Sequence, residues 1–424
     1  VDRWAVGLAA RGVTKGDRVA ILLGNTPGTV FAWLGANHLG AIAAILNTAL
    51  KPPERAAQLR LIDPKLVVER DDEIPEDGTP PLPGVKPGDT CVLIATSGTT
   101  GAPKAVMQTH RAYTLTAEAF PDWVGLTNDD RLLATLPFFH INAQAYSTMA
   151  ALACGSLAIL RKFSASRFWE EAKSLGATQF NSVGAMLHIL LRSEPRAAER
   201  EHAIRVCYAA LALPEAIHRE LEARFGLRLT VGYGMSETTF GTVWPKDRSP
   251  YGTMGKLRQH PRLGTINEAR VAENGELWLR NPALMAGYFR DPAETAAAID
   301  PDGWLHTGDV VSRDAEGLFT FVSRKKEMLR RRGENIAAAE IENVLTGAEG
   351  VREAAVIGVP SDLGEDDIMA YLVLVPGRPF DEAALVAHTK QHLADFKVPT
   401  TFRVVDDLPR TPTGRVATHE LPRS

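Results

Sequence analysis

The densest chemistry in the chain lies in nine consecutive residues, Thr96-Ser97-Gly98-Thr99-Thr100-Gly101-Ala102-Pro103-Lys104. They leave a short apolar run, Cys91 to Ala95, that reads as a buried strand. The two glycines let backbone approach an anion closely. Four hydroxyls and consecutive N–H groups supply donors, and Lys104 supplies charge, a combination suited to a polyphosphate. The spacing is not that of a Walker A loop, G-x-x-x-x-G-K followed by Ser or Thr, which is absent throughout the chain. A polar strand-to-helix turn is the plain alternative. Other groups stand apart in sequence. Glu237 follows a strand expected over Leu227 to Val231, in a glycine-containing turn where a lone carboxylate is usually solvated. Beside a polyphosphate, however, Mg²⁺ takes oxygen ligands from one or two carboxylates plus phosphate. Asp309 after Gly308 has the look of a turn aspartate, although a carboxylate can also accept both hydroxyls of a vicinal diol. Arg324 opens a basic run that an ordinary solvated surface would explain, and His140 after Phe138-Phe139 reads equally well as a satisfied core histidine.

The elements that position these groups follow from composition and pattern. Hydrophobic residues make up 45% and charged residues 23% of 424, values of a globular chain whose length implies roughly two to four domains. Lys and Arg total 47 against 51 Asp and Glu, a net charge of −4, which argues against nucleic acid or an anionic membrane surface as the main partner. Cys91, Cys154 and Cys207 form no CxxC pair, so neither a disulfide scaffold nor a four-sulfur zinc site is expected, and a reducing, cytoplasmic setting is. Phe31 to Leu50 is the longest apolar stretch; Asn37, His38 and Asn47 make it a buried helix rather than a membrane span. Strands are expected at Arg18 to Leu23, Leu66 to Val68, Gly155 to Leu160 and Arg205 to Tyr208, with a helix over Pro214 to Phe225. Alternation of this kind predicts α/β layers on a largely parallel sheet. Glu276 to Arg280 alternates with period two and suggests antiparallel β. A boundary is expected near Ser323 to Arg332, followed by a small unit of βαβ character.

The loop at 96 to 104 resembles the signature T-S-G-T-T-G-x-P-K of the adenylate-forming superfamily, which includes acyl-CoA synthetases, peptide-synthetase adenylation domains and luciferases. Eight specified positions at about 6% usage each give a chance match of roughly one in ten million. The resemblance recurs in the family's order: Leu136-Pro137-Phe138-Phe139-His140, Gly232 to Thr238, Gly303 to Asp309, Ser323 to Glu327, Gly333 to Ile336 and Leu408 to Val416. It implies a large N-terminal domain of stacked α/β layers with a β subdomain, residues 1–325, and a small mobile α+β domain, 326–424. It implies ATP, Mg²⁺ and coenzyme A as cofactors, with the nucleotide held by Thr96, Ser97, Gly98, Thr99, Thr100 and Gly101. By the same resemblance Tyr233 and Gly234 lie on adenine, Ser236 near the α-phosphate, and Asp309 and Arg324 on ribose. Glu237 would hold the metal, Lys104 and Arg415 would face developing charge, His140 would lie where the acyl pocket meets the pantetheine tunnel, and Lys326 would be the hinge.

The implied reaction is activation of a small carboxylic acid to an acyl-adenylate and transfer to coenzyme A. In tone, Phe138 to Gln144 and Phe163 to Trp169 look most like the carnitine- and fatty-acyl-CoA ligase branch. Two departures bear on this. The family's C-terminal loop carries lysine where this chain has Arg415, and arginine is bulkier and planar. The usual G-G-A-P-type wall is replaced by Tyr208 to Leu213. These keep two alternatives in view: an ATP-dependent, nitrite-using diazo-forming enzyme, and a catalytically impaired nucleotide-binding homologue. A serine amidase built on Ser97 lacks a paired base in the sequence, and a peptide-synthetase role is disfavoured because no carrier domain follows Ser424. Val1 is not an initiating methionine, so opening residues are expected to be absent, and Glu69 to Gly78 and Val271 to Gly275 are short for the family. Neither a nucleic-acid partner nor integral membrane contact is expected, and a homodimer is allowed.

Overall fold

Buried parallel strands read as near-continuous apolar runs because both faces must be covered, and the first sheet shows it. A computed structural model describes every residue except Lys51, Glu73, 98–102, 211–212, 325–327, 332–333, 361–365, Ala394, 411–415 and Ser424. Within it, Arg18–Ile21 runs parallel to Ile42–Ile45 on one side and to Leu66–Val68 on the other. Val19, Ile21, Ala43 and Ile45 enter one apolar cluster, and Ala20, Leu22, Ala44 and Leu46 enter another. Thr90–Ser97 joins Ile42–Ile45 in parallel, then pairs antiparallel with Pro103–Thr109, and Gly287–Tyr288 closes that edge antiparallel.

A second sheet has seven strands. Ser156–Ile159, Arg131–Ala134, Gln179–Ser182, Val206–Ala209 and Arg228–Met235 are parallel in that spatial order; Thr238–Val243 and Lys256–Leu257 extend it antiparallel. The helix His110–Val124 serves both layers: Tyr113 packs edge-on against Trp33, 5.8 Å between centroids, while Phe120 and Trp123 join Tyr146, Tyr208 and Phe240. Thr109 caps its start and Gly125, at φ 74°, ends it. The expected α/β layering on largely parallel sheets is therefore present, with antiparallel pairs at one edge of each sheet.

The chain divides into two units: Val1–Arg270, Trp278–His306 and Asp314–Phe319 in one, and Val271–Leu277, Thr307–Arg313 and Thr320–Ser424 in the other. In the second, Val351–Pro360 pairs antiparallel with Asp366–Leu374, and Thr401–Val404 adds in parallel after the helix Glu382–His392, a βαβ connection of the expected kind. Ile336, Ile341, Leu345, Val356, Ile368 and Leu372 form its apolar interior.

Two expectations change. The stretch Phe31 to Leu50 is not one helix: Pro27–His38 is helical, and Ile42–Ile45 is a central strand. Gly40 takes φ 67°, a left-handed turn that ends the helix and starts the strand. The strand expected to stop at Val231 continues to Met235, so Gly232 and Gly234 are strand residues. Their lack of a side chain serves close approach instead: a Cβ on Gly232 would lie 2.5 Å from the Tyr208 hydroxyl and 2.7 Å from Arg258, and one on Gly234 would lie 2.8 Å from the Tyr146 hydroxyl.

Candidate active site

The threonine-rich segment leads not into a helix but back along the sheet. Thr96 pairs with Lys104 and Ser97 with Pro103, so Thr90–Ser97 and Pro103–Thr109 are the two arms of an antiparallel β-hairpin. Gly98, Thr99, Thr100 and Gly101 themselves lie outside the described residues, as do Lys326 and Arg415. A second hairpin, Arg228–Met235 with Thr238–Val243, carries Tyr233 and Gly234 on its first strand and Ser236-Glu237 at its two-residue tip. The buried Gln108, from the first hairpin, donates through Nε2 to the Ser236 carbonyl at 2.5 Å, tying the second tip to the first hairpin. The Met285 N–H donates to the Glu237 carbonyl at 2.8 Å, and the Ala286 and Phe289 N–H groups donate to Met107 and Ala105, each at 2.8 Å. The segment 285–289 thus binds both hairpins through backbone.

Lys104 and Glu237 meet through that segment. The Tyr288 hydroxyl donates to Glu237 Oε1 at 2.9 Å, and the Lys104 ammonium lies 5.3 Å from the centre of the Tyr288 ring. Lys104 also pairs with Glu294, in the first turn of the helix Pro292–Ala298. Asp291 accepts from the Glu294 N–H at 3.0 Å, and Thr295 Oγ1 accepts from the Tyr288 N–H at 2.8 Å, so cap and tyrosine are set by one turn. Burial, reinforced by the neighbouring Glu237 charge, pushes the Tyr288 hydroxyl far above its ordinary range, so it remains a donor.

Behind the second hairpin lies Arg258, with no exposed surface. It donates to the carbonyls of Thr242 and Thr239 and to the hydroxyl of Tyr146, at 2.9, 2.7 and 2.7 Å, and to the Tyr208 hydroxyl. Its guanidinium also lies 4.9 Å from the ring centres of Trp123 and Tyr146. Neutral oxygens and π-faces solvate this buried charge. Tyr208, the first residue of the altered wall, is part of that cage.

His140 is half-buried rather than a core residue. It precedes a π-helical stretch, Asn142–Met149, and its ring lies 4.3 Å from that of Phe139. Tyr233 is half-buried, with Gly241 giving room against its ring and carbonyl. Asp309 is no turn residue: it is buried within the strand Leu305–Arg313, in the second unit, and its N–H donates to Thr307 Oγ1 at 3.1 Å. Arg324 ends the strand Phe319–Arg324. All three cysteines are buried without disulfides; burial pushes the Cys154 thiol up to about 11 and those of Cys91 and Cys207 higher, which makes them poor nucleophiles.

Gln108, Arg258, Tyr288 and Glu294 were not singled out in the sequence. Asp291-Pro292-Ala293-Glu294 carries a visible helix-start signal, an Asp cap, Pro at the first position and Glu in the first turn. Nothing local marks its partner as Lys104, 190 residues away.

Comparison with known proteins gives the family to which these two hairpins belong. The AMP-binding enzyme family matches residues 1–289, and the AMP-binding enzyme C-terminal domain matches 340–415. This chain belongs to that family. It is 32% identical to the crotonobetaine/carnitine–CoA ligase of Salmonella arizonae over 472 positions, which cover 99% of this chain and 91% of that one. Among solved structures it resembles ATP-bound MatB from Rhodopseudomonas palustris (TM-score 0.88, 27% identity, 98% and 90% of the two chains). It also resembles O-succinylbenzoate coenzyme A synthetase from Bacillus subtilis in complex with AMP (TM-score 0.87, 29% identity, 100% and 92%). The family member described here is an AMP-forming ligase of the acyl-CoA synthetase kind: it activates a carboxylate as an acyl-adenylate and passes the acyl group to coenzyme A. No helix among the described residues is long and apolar enough to cross a membrane.

Proposed function

We propose that the two hairpins hold MgATP for this reaction, with a small carboxylic acid of the kind handled by the crotonobetaine/carnitine–CoA ligases as substrate. The observation that carries the reading is the convergence of Lys104 and Glu237 on Tyr288. The acid attacks the α-phosphorus and pyrophosphate leaves, so charge crowds at phosphorus and positioning plus electrostatics lower the barrier. In this reading the segment Thr96 to Gly101 and Lys104 meet the phosphates, Ser236 lies near the α-phosphate, and Tyr233 and Gly234 take the adenine. Asp309 and Arg324 take the ribose, and Arg415 supplies positive charge at the reacting carboxylate.

The residues fit a magnesium ion. Glu237 offers a hard carboxylate oxygen at an accessible turn, and no group of three or more His, Cys, Asp or Glu among the described residues forms a cage of its own. A metal at Glu237 would therefore share its coordination with phosphate oxygens, as magnesium does. Bound there, it would neutralise charge on the departing pyrophosphate. For the second step we assign the boundary between 1–325 and 326–424 to a hinge at Lys326, about which the C-terminal domain exchanges one face for another, and His140 to the junction of acyl pocket and pantetheine tunnel.

Pyrophosphate release from ATP, measured over a panel of aliphatic, betaine-like and aromatic carboxylates plus nitrite, with and without coenzyme A, tests the reading. We expect release with a small carboxylate and its completion to a thioester when coenzyme A is added. Release with nitrite alone would replace the substrate class, and ATP binding with no release from any acid would contradict turnover.

A further inference from the structure

We propose that Tyr288 is a positioning residue that sets the metal-binding carboxylate and the phosphate-binding lysine relative to one another. The inference deepens the reading above and rests on Glu237 being the magnesium ligand. Its basis is geometric. One side chain touches both groups by two separable contacts: the hydroxyl donates to Glu237 Oε1 at 2.9 Å, and the ring lies 5.3 Å from the Lys104 ammonium. The first contact fixes one carboxylate oxygen, which is how outer hydrogen bonds orient a metal ligand. The second gives the ammonium a polarisable face that adds no countercharge of its own.

Tyr288 is itself held rigidly. Its N–H donates to Thr295 Oγ1 at 2.8 Å, it pairs in antiparallel register with Val106, and the next N–H, that of Phe289, donates to the Ala105 carbonyl at 2.8 Å. These backbone contacts do not depend on the ring or the hydroxyl, so substitution of the side chain leaves the strand edge in place. Glu294 accepts one of the three ammonium donors of Lys104, and in the proposed reading the other two serve phosphate oxygens.

The two contacts separate in two variants. Tyr288→Phe removes only the hydroxyl; Tyr288→Leu also removes the π-face. Calorimetric titration with ATP, with and without Mg²⁺, reads each effect as binding rather than turnover. For Tyr288→Phe we expect the tightening of ATP by Mg²⁺ to fall about 10-fold, the scale of a lost outer-shell partner, with metal-free ATP affinity unchanged. For Tyr288→Leu we expect the same loss together with a weakening of metal-free ATP of about 2- to 5-fold. Glu237→Gln serves as the reference and should lose the Mg²⁺ effect. A full Mg²⁺ effect in Tyr288→Phe, alongside its loss in Glu237→Gln, would overturn the positioning role alone. A full Mg²⁺ effect in Glu237→Gln would overturn the ligand assignment, and the proposal with it. Equal weakening of metal-free and Mg²⁺-dependent binding in Tyr288→Phe would mark the hydroxyl as merely structural and reject the proposal.

Discussion

Glu237 and Lys104 carry opposite charges on two different hairpins, and each meets Tyr288. In the proposed reading the carboxylate takes the cation and the ammonium, which also pairs with Glu294, takes the phosphate. Glu237→Gln keeps an oxygen for the Tyr288 hydroxyl and removes the charge. We expect MgATP-dependent pyrophosphate release to fall about 100-fold or more, the scale of a lost electrostatic stabiliser, while the thermal midpoint moves by no more than about 2 °C, as for a surface substitution. Equal activity would remove Glu237 from the metal site. At this scale the sequence was informative where the pattern is local: a glycine- and threonine-rich segment with a lysine is legible in nine residues. It was silent about Tyr288 because a tyrosine followed by phenylalanine looks like any half-buried strand residue.

Elements decide what those residues face. The glycines at 232 and 234 suggested a turn because glycine is the usual residue for one. They lie in a strand because Arg258 and the hydroxyls of Tyr208 and Tyr146 crowd its inner side. A methyl group at 232 has nowhere to go: both neighbours are buried and fixed by hydrogen bonds. Gly232→Ala is therefore expected to destabilise the first unit by about 1–3 kcal/mol, as overpacking does, read as a lower denaturant midpoint at unchanged slope. Gly12→Ala is a poor comparison, since φ 79° strains any side chain there. A control with open space and ordinary φ is Gly88, where nothing lies within 4 Å of a Cβ, and Gly88→Ala should leave the midpoint in place. An unchanged midpoint for Gly232→Ala would mean that the cage yields at no cost.

For the whole molecule the question is how one chain runs two reactions. The family match over 1–289 and 340–415 spans both parts of the chain, and the proposed hinge at Lys326 lies between the matched segments. Proline fixes φ near −65° and removes an N–H donor, so it blocks a backbone rotation that a hinge needs. Lys326→Pro is expected to spare acid-dependent pyrophosphate release and to abolish thioester formation with coenzyme A. Loss of both steps would place the hinge elsewhere.

Sequence alone determined the family and the α/β class, because a signature motif, a capped helix and a buried parallel strand each depend on residues that are neighbours in the chain. It could not separate helix from strand across Phe31 to Leu50, where both faces of a central strand are apolar and the period is lost. Tertiary structure decided which residues from distant segments share a site: Lys104 with Glu294, Glu237 with Tyr288, Arg258 with Tyr146 and Tyr208. Such pairs leave no periodic or local trace, since their contact energy depends on distance in space and their separation in sequence runs from 50 to 190 residues for want of any constraint but the fold.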